Sequence, residues 1–196
     1  IIGTKVRWGN SGQKIPPTPP FLKGGELSNF RLGKSKYLVI EADEYAASFL
    51  NYWPKIIVLT NIEEDHLDYY RDLEHILETF KEYIWHLGED GVLVVNWDDK
   101  NILEILKNSN VIARSQPLAS RRGRGNFVDG SKRAGLLRFA RNDAEAAELK
   151  KILKVPGEHN NINALAALTV ARALKITDRI SLKVLSNFEG TWRRFE

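Results

Sequence analysis

The sequence predicts an α/β protein built as a three-layer, doubly wound and mostly parallel sheet. Three observations predict it. Short apolar runs rich in β-branched residues occupy residues 36–40, 55–60 and 91–95, and each is followed by a polar residue, Glu41, Asn61 and Asn96 in turn. Each run is apolar on both faces, as a strand buried between two helical layers should be. Stretches of helical length separate the runs, which is the order of parallel strands joined by crossovers.

The elements follow in order. Residues 36–40 are read as a buried parallel strand, and residues 42–54 are long enough for a crossover. After the second run, Leu73, Ile76, Leu77, Phe80, Tyr83, Ile84 and Leu87 recur at the spacing of one helix face. Asp68 or Asp72 is placed to cap that helix, and Gly88 to close it. Residues 101–107 predict another helix and residues 111–113 a short strand. In the last third, residues 155–160 predict a turn. Asn160 or Asn161 then caps a helix over residues 162–174, and residues 177–185 predict a shorter one.

Two stretches break the pattern. Residues 13–26 contain Pro16-Pro17-Thr18-Pro19-Pro20 and Gly24-Gly25, which suit neither a helix interior nor a central strand. Residues 115–142 are rich in Arg, Gly and Ser with little periodicity. Both are expected to be exposed loops, and their composition resembles translated palindromic repeats inserted in bacterial genes. The organisation expected is one domain over residues 1–187 carrying these two insertions, then the start of a linker at 188–196. Trp53, Trp85 and Trp97 adjoin apolar runs and are expected to pack in the core or at its edge.

Composition narrows the class. The 196 residues, 43% hydrophobic and 28% charged, fit a globular domain. No apolar run reaches the roughly 18 residues of a membrane-spanning helix, and no signal-like core begins the chain. The chain contains no Met and does not start with one, so it is read as an internal fragment. It has no Cys, which excludes disulfides and thiolate metal sites. The net charge of +4 is local in origin. Residues 114–141 hold eight Arg and Lys against the single acid Asp129, and the remainder is mildly acidic.

Three constellations carry chemistry. Glu41-Ala42-Asp43-Glu44 directly follows a strand. Ligands of open α/β sheets bind beyond the carboxyl ends of the strands, where a carboxylate can hold Mg²⁺ beside a nucleotide phosphate. The plainer alternative is that these acids cap the next helix. Asn61-Ile62-Glu63-Glu64-Asp65-His66-Leu67-Asp68 follows the next strand, and parallel strands bring Glu41 and His66 to one edge. Imidazole is an uncommon Mg²⁺ ligand, so His66 points to a second metal site or a phosphate contact; otherwise it is an exposed loop residue. Residues 156–167 read either as a capped helix start or as His159 and Asn160 set against a planar ring. Arg193 and Arg194 are a solvated pair or a phosphate contact.

Together these segments resemble the Mur ligase family, the enzymes that extend UDP-muramic acid precursors of peptidoglycan. Glu41-Ala42-Asp43-Glu44 with Ser48-Phe49-Leu50 resembles one family motif. Thr60-Asn61-Ile62 with Asp65-His66-Leu67-Asp68 resembles a second, and Pro156-Gly157 with His159-Asn160 and Asn163-Ala164 a third. Phe188-Glu189-Gly190 with Arg193-Arg194-Phe195-Glu196 resembles the passage into a C-terminal domain. Within the family the chain is most similar to the branch joining L-alanine to UDP-N-acetylmuramate, and it shares motifs with the branch that reattaches recycled tripeptide. The resemblance implies a cytoplasmic, ATP-dependent carboxylate–amine ligase using Mg²⁺. Glu41 would hold the Mg²⁺ between ATP and an acyl phosphate, and His66 would help bind a second. His159, Asn160 and Asn163 would border the adenine, and Arg194 or Arg193 would approach the nucleotide.

The chain departs from the family pattern in three places. No phosphate loop of the pattern Gly-x-x-x-x-Gly-Lys-Thr/Ser occurs, so the isolated piece is expected not to catalyse ligation. Ala46 stands where relatives often carry an acid. Residues 115–142 fall where relatives have ordered strands, so that part of the sheet is expected to be degraded. Two other classes compete with the ligase reading. One is a metal-dependent phosphohydrolase using Glu41, Asp43, Asp65 and His66. The other is a nucleic-acid-binding module built on the Arg-rich stretch.

Overall fold

A computed structural model of the chain describes residues 2–3, 35–107, 135–139 and 144–190. Strand β1 spans Ile2–Gly3, β2 Leu38–Val39, β3 Ile56–Leu59, β4 Val92–Asn96 and β5 Gly135–Phe139. They form one sheet in the order β2-β1-β3-β4-β5. Strands β3, β4 and β5 are parallel, with Ile56 opposite Val92 and Val92 opposite Gly135. Strand β1 runs antiparallel to both β2 and β3. Strands β2 and β3 therefore run the same way, and their carboxyl ends share one edge of the sheet.

Side-chain alternation assigns the two faces. Ile57, Leu59, Leu93, Val95 and Leu136 point to one face and join a core with helices α1 (Leu73–Trp85) and α2 (Lys100–Lys107). Ile56, Val58, Val92, Val94, Leu137 and Phe139 point to the other, against α3 (Ala144–Ile152) and α4 (Glu158–Ala173). Helix α5 (Asp178–Ser186) adds Leu185 to that second core. This is the three-layer arrangement the apolar runs predict: a strand covered on both sides must be apolar at every position. The two cores exclude water closely, with Leu93, Val94, Ile102 and Ile105 each 0% exposed. Each such aliphatic side chain contributes roughly 1.5–3 kcal/mol by burial.

Helix α1 starts where predicted, with Asp72 as its cap: the carboxylate accepts a 2.8 Å bond from the His75 amide. It ends at His86, before Gly88. Helix α4 starts four residues earlier than predicted. Its cap is Gly157, at a φ of 105° that only glycine tolerates, and Asn160 lies in the first turn.

Three further expectations change. Strand β2 is only two residues long and exposed, because it lies at the edge of the described sheet with a neighbour on one side alone. Residues 135–139, expected in a loop within a degraded part of the sheet, form β5. Three apolar side chains and a parallel partner outweigh the polar surroundings in sequence. Of the three tryptophans expected in the core or at its edge, Trp97 packs against the first core, whereas Trp53 and Trp85 are 60% and 56% exposed, Trp53 stacking on His86 with ring centroids 5.0 Å apart. Residues 13–26, 111–113 and 115–134, together with Arg193 and Arg194, lie outside the described residues. No described helix is long and apolar enough to cross a membrane.

Candidate functional site

Two loops leave the shared carboxyl edge of β2 and β3. The first, residues 40–51, carries the acids and ends in the 3-10 helical segment Tyr45–Asn51. The second, residues 60–72, carries His66. Between them opens a cavity of about 390 Å³ lined by Glu41, Glu44, Asp65 and His66 at its polar side and by Phe49, Phe80 and Tyr83 among its apolar walls. The structure thus brings Glu41 and His66 to one cavity, as the strand topology predicts.

Glu44, not Glu41, is the direct partner of the histidine. His66 Nε2 lies 3.3 Å from Glu44 Oε1 and 4.0 Å from Asp65 Oδ2. The backbone of His66 is left-handed, with φ at 56°, and its amide donates to Asp65 Oδ1 at 2.7 Å. Its carbonyl accepts from the amides of Tyr69 and Tyr70, both at 2.9 Å. A short polar turn therefore fixes where the imidazole projects.

Two phenols cross between the loops in opposite directions. Tyr70, 1% exposed, donates to the backbone carbonyl of Glu44. Tyr45 donates to Asp68 Oδ2 at 3.0 Å. Burial pushes the Tyr70 phenol above its ordinary pKa, and the bond to Asp68 does the same for Tyr45. Both remain protonated donors at neutral pH.

Buried amides hold the second loop from below. Asn96, at the end of β4, donates to the Thr60 carbonyl at 2.9 Å. Asn101, 8% exposed in α2, donates to the Ile62 carbonyl at 2.6 Å. Asp99 accepts the Ile102 amide at 2.8 Å and the Ile62 amide at 3.4 Å. Sequence reasoning placed Glu44 in the acidic motif but missed its pairing with His66, and it missed Tyr45, Tyr70, Asn96 and Asn101 as parts of the site. The usable signal was buried polarity: an Asn at a strand end and another inside an amphipathic helix each need a partner.

The third constellation stays apart. His159, Asn160 and Asn163 occupy the first turns of α4, on the opposite face of the sheet from α1, and do not line the cavity. The His159 ring folds over Gly157, where an added Cβ would approach it to 2.7 Å. Asn160 Nδ2 donates to the Pro156 carbonyl at 2.6 Å. These contacts make a closed helix start. Beside them Asn161 is 3% exposed, with its Oδ1 lacking a hydrogen-bond partner among the described residues.

Comparison with known proteins agrees with this architecture. A family model described as the Mur ligase middle domain matches residues 25–171. The UDP-N-acetylmuramate–L-alanine ligase of Clostridium tetani is 38% identical over 183 residues, covering 91% of this chain and 40% of that protein. Its namesake in Clostridium perfringens is 35% identical over 184 residues, with the same coverage. The chain thus spans about 40% of the length of these curated relatives. Among solved structures, MurF from Acinetobacter baumannii superposes with a TM-score of 0.54 at 19% identity, over 76% of this chain and 32% of that one. The UDP-N-acetylmuramate:L-alanyl-gamma-D-glutamyl-meso-diaminopimelate ligase from Neisseria meningitides gives 0.51 at 19% identity, over 74% and 44%. These two likenesses establish the fold. With a family match over most of its length and its acids and histidine gathered at the carboxyl edge of a three-layer sheet, the chain belongs to the Mur ligase middle-domain family.

Proposed function

We propose that this chain supplies the ATP- and cation-handling part of a ligase that joins L-alanine to UDP-N-acetylmuramate in peptidoglycan synthesis. One observation carries the reading: Glu41, Glu44 and His66 share a cavity beyond parallel strand ends, in a chain whose relatives bear that activity's name. In the full reaction the ATP γ-phosphoryl group passes to the muramoyl carboxylate. The alanine amine then attacks the acyl phosphate, and phosphate leaves.

The donor set fits Mg²⁺. This ion takes one or two protein carboxylates and completes its shell with water and phosphate oxygens. The cavity offers Glu41 and Glu44. When bound, Mg²⁺ offsets charge on the transferring phosphoryl group. Glu41 is the ligand in this reading. His66 contacts a phosphate oxygen or a second ion, held in place by Glu44. Their work is positioning and electrostatics, with no covalent step on the protein.

His159, Asn160, Asn163 and Arg194 are proposed to contact the nucleotide's adenine side. The one Gly-Lys-Ser in the sequence, Gly33-Lys34-Ser35, has Ser28 where the phosphate-loop pattern requires a glycine, so no such loop is present in these 196 residues, and on their own they are proposed not to ligate. In the phosphohydrolase reading Asp43 and Asp65 each have one carboxylate oxygen engaged in a local turn, and of the two only Asp65 lines the cavity. Asp43 accepts the Tyr45 amide at 2.9 Å, and Asp65 accepts the His66 amide.

The test is phosphate release from ATP by the complete protein carrying this segment, with Mg²⁺ and UDP-N-acetylmuramate. Dependence on L-alanine is expected. Release only with the recycled tripeptide would move the protein to the recycling branch, and no release from a folded protein would overturn the ligase reading.

A further inference from the structure

Tyr45 follows the acidic motif, and its side chain crosses to the loop that carries His66. Four contacts define its place. Its amide donates to Asp43 Oδ1 at 2.9 Å, which sets the start of the 3-10 segment. Its carbonyl accepts from the Ser48 hydroxyl at 2.7 Å. Its phenol donates to Asp68 Oδ2 at 3.0 Å. Its ring meets the His66 imidazole edge to face, with centroids 5.2 Å apart and planes at 65°. Asp68 lies two residues beyond His66, so the phenol and the ring grip the same short turn at two points.

We infer that Tyr45 is a positioning residue that fixes the plane of the His66 imidazole at the cavity mouth, through its ring directly and through Asp68. The inference deepens the reading above, from which it takes His66 as a group facing phosphate or cation. The geometry separates this task from holding the fold together. Tyr45 is 44% exposed, whereas Tyr70, which ties the same two loops, is 1% exposed and belongs to the core. Glu44 reaches the imidazole at one nitrogen only, 3.3 Å from Nε2. One such bond leaves the ring free to rotate about the axis it defines. A second, edge-on contact removes that freedom, as the orienting partners of metal-binding histidines do. An aromatic edge suits this task because it restrains the plane without taking up a ring nitrogen.

The experiment reads the His66 ring signals of this chain by proton–carbon NMR, with assignment from a His66→Gln variant. Wild type is compared with Tyr45→Phe and Tyr45→Ala, first without metal and then during titration with Mn²⁺ as a paramagnetic probe. The expected wild-type spectrum has one sharp set of His66 ring signals with cross-relaxation to the Tyr45 ring. Tyr45→Ala is expected to shift and broaden that set. It should also raise the Mn²⁺ concentration for half-broadening by roughly threefold or more, with the unfolding midpoint near wild type. Tyr45→Phe keeps the ring and loses the bond to Asp68, so it is expected to fall between the two. Unchanged His66 signals in Tyr45→Ala, or no Tyr45–His66 cross-relaxation in wild type, would overturn the inference. Failure of Mn²⁺ to broaden wild-type His66 would overturn the cation reading instead. The two failures are distinguishable because the ring contact is read before metal is added.

Discussion

The phenol of Tyr70 donates to the backbone carbonyl of Glu44, and the carboxylate of the same Glu44 lies 3.3 Å from His66 Nε2. Glu44 is thus the meeting point of the two loops. Its carbonyl is held by a buried side chain, and its carboxylate faces the cavity. Removing the Tyr70 hydroxyl leaves that arrangement without its inner tie. Tyr70→Phe is expected to cost about 1–2 kcal/mol in denaturant unfolding. An unchanged midpoint would show that the bond contributes nothing to holding the loop.

The first loop carries backbone strain. Ala46 and Ala47 have φ values of 52° and 54°, in the left-handed region where a Cβ is crowded. Ala46 is exposed, so its replacement tests the backbone without disturbing packing. Ala46→Gly is expected to stabilise the protein by up to about 1 kcal/mol, the relief of strain exceeding the added freedom of the unfolded chain. Thermal unfolding checks the sign, and a loss of stability would contradict the assigned conformation.

The second loop depends on a helix distant in sequence. Asn101 in α2 donates to the Ile62 carbonyl from a site that is 8% exposed. Asn101→Leu removes the donor and strands that carbonyl, at an expected cost of about 1–3 kcal/mol. Hydrogen exchange provides the specific readout: amides of residues 62–70 should exchange faster than those of α1. Uniform acceleration would mean that the bond stabilises the whole domain and not the loop.

The phenols set an alkaline limit. Burial raises the pKa of Tyr83 and of Tyr70 in the folded state. A folded-state value above the unfolded one contributes stability that is fully present below the unfolded phenol pKa of about 10. That contribution is lost as pH rises through the folded value. Phenolate absorbance and circular dichroism, followed together against pH, are expected to show these two tyrosines ionising with the unfolding transition. Their ionisation well before unfolding would contradict their burial.

Much of the fold is legible in the sequence because the physics is local and periodic. Runs apolar on both faces mark β3 and β4, the spacing from Leu73 to Ile84 marks α1, and Asp72 marks its start. Strand β5 is hidden because its five residues sit among arginines and glycines, and only pairing with β4 identifies it. The length and exposure of β2 follow from its edge position, which no local pattern encodes. At the site, strand topology places Glu41 and His66 at one edge. It does not reveal that Glu44 is the histidine's partner or that Tyr45 and Tyr70 cross between loops. Those contacts depend on the left-handed turns at Ala46, Ala47 and His66, which composition does not announce.

The central claim is that the cavity beyond β2 and β3 holds the nucleotide's phosphates and their cation. Calorimetric titration of ATP with Mg²⁺ into the complete protein and its Glu41→Gln variant tests it most directly, with Glu78→Gln on the exposed face of α1 as control. The account predicts that Glu41→Gln weakens Mg²⁺-dependent ATP binding by roughly tenfold or more, and that Glu78→Gln leaves it unchanged. Equal affinity in Glu41→Gln and wild type would place the nucleotide's cation elsewhere and contradict the account.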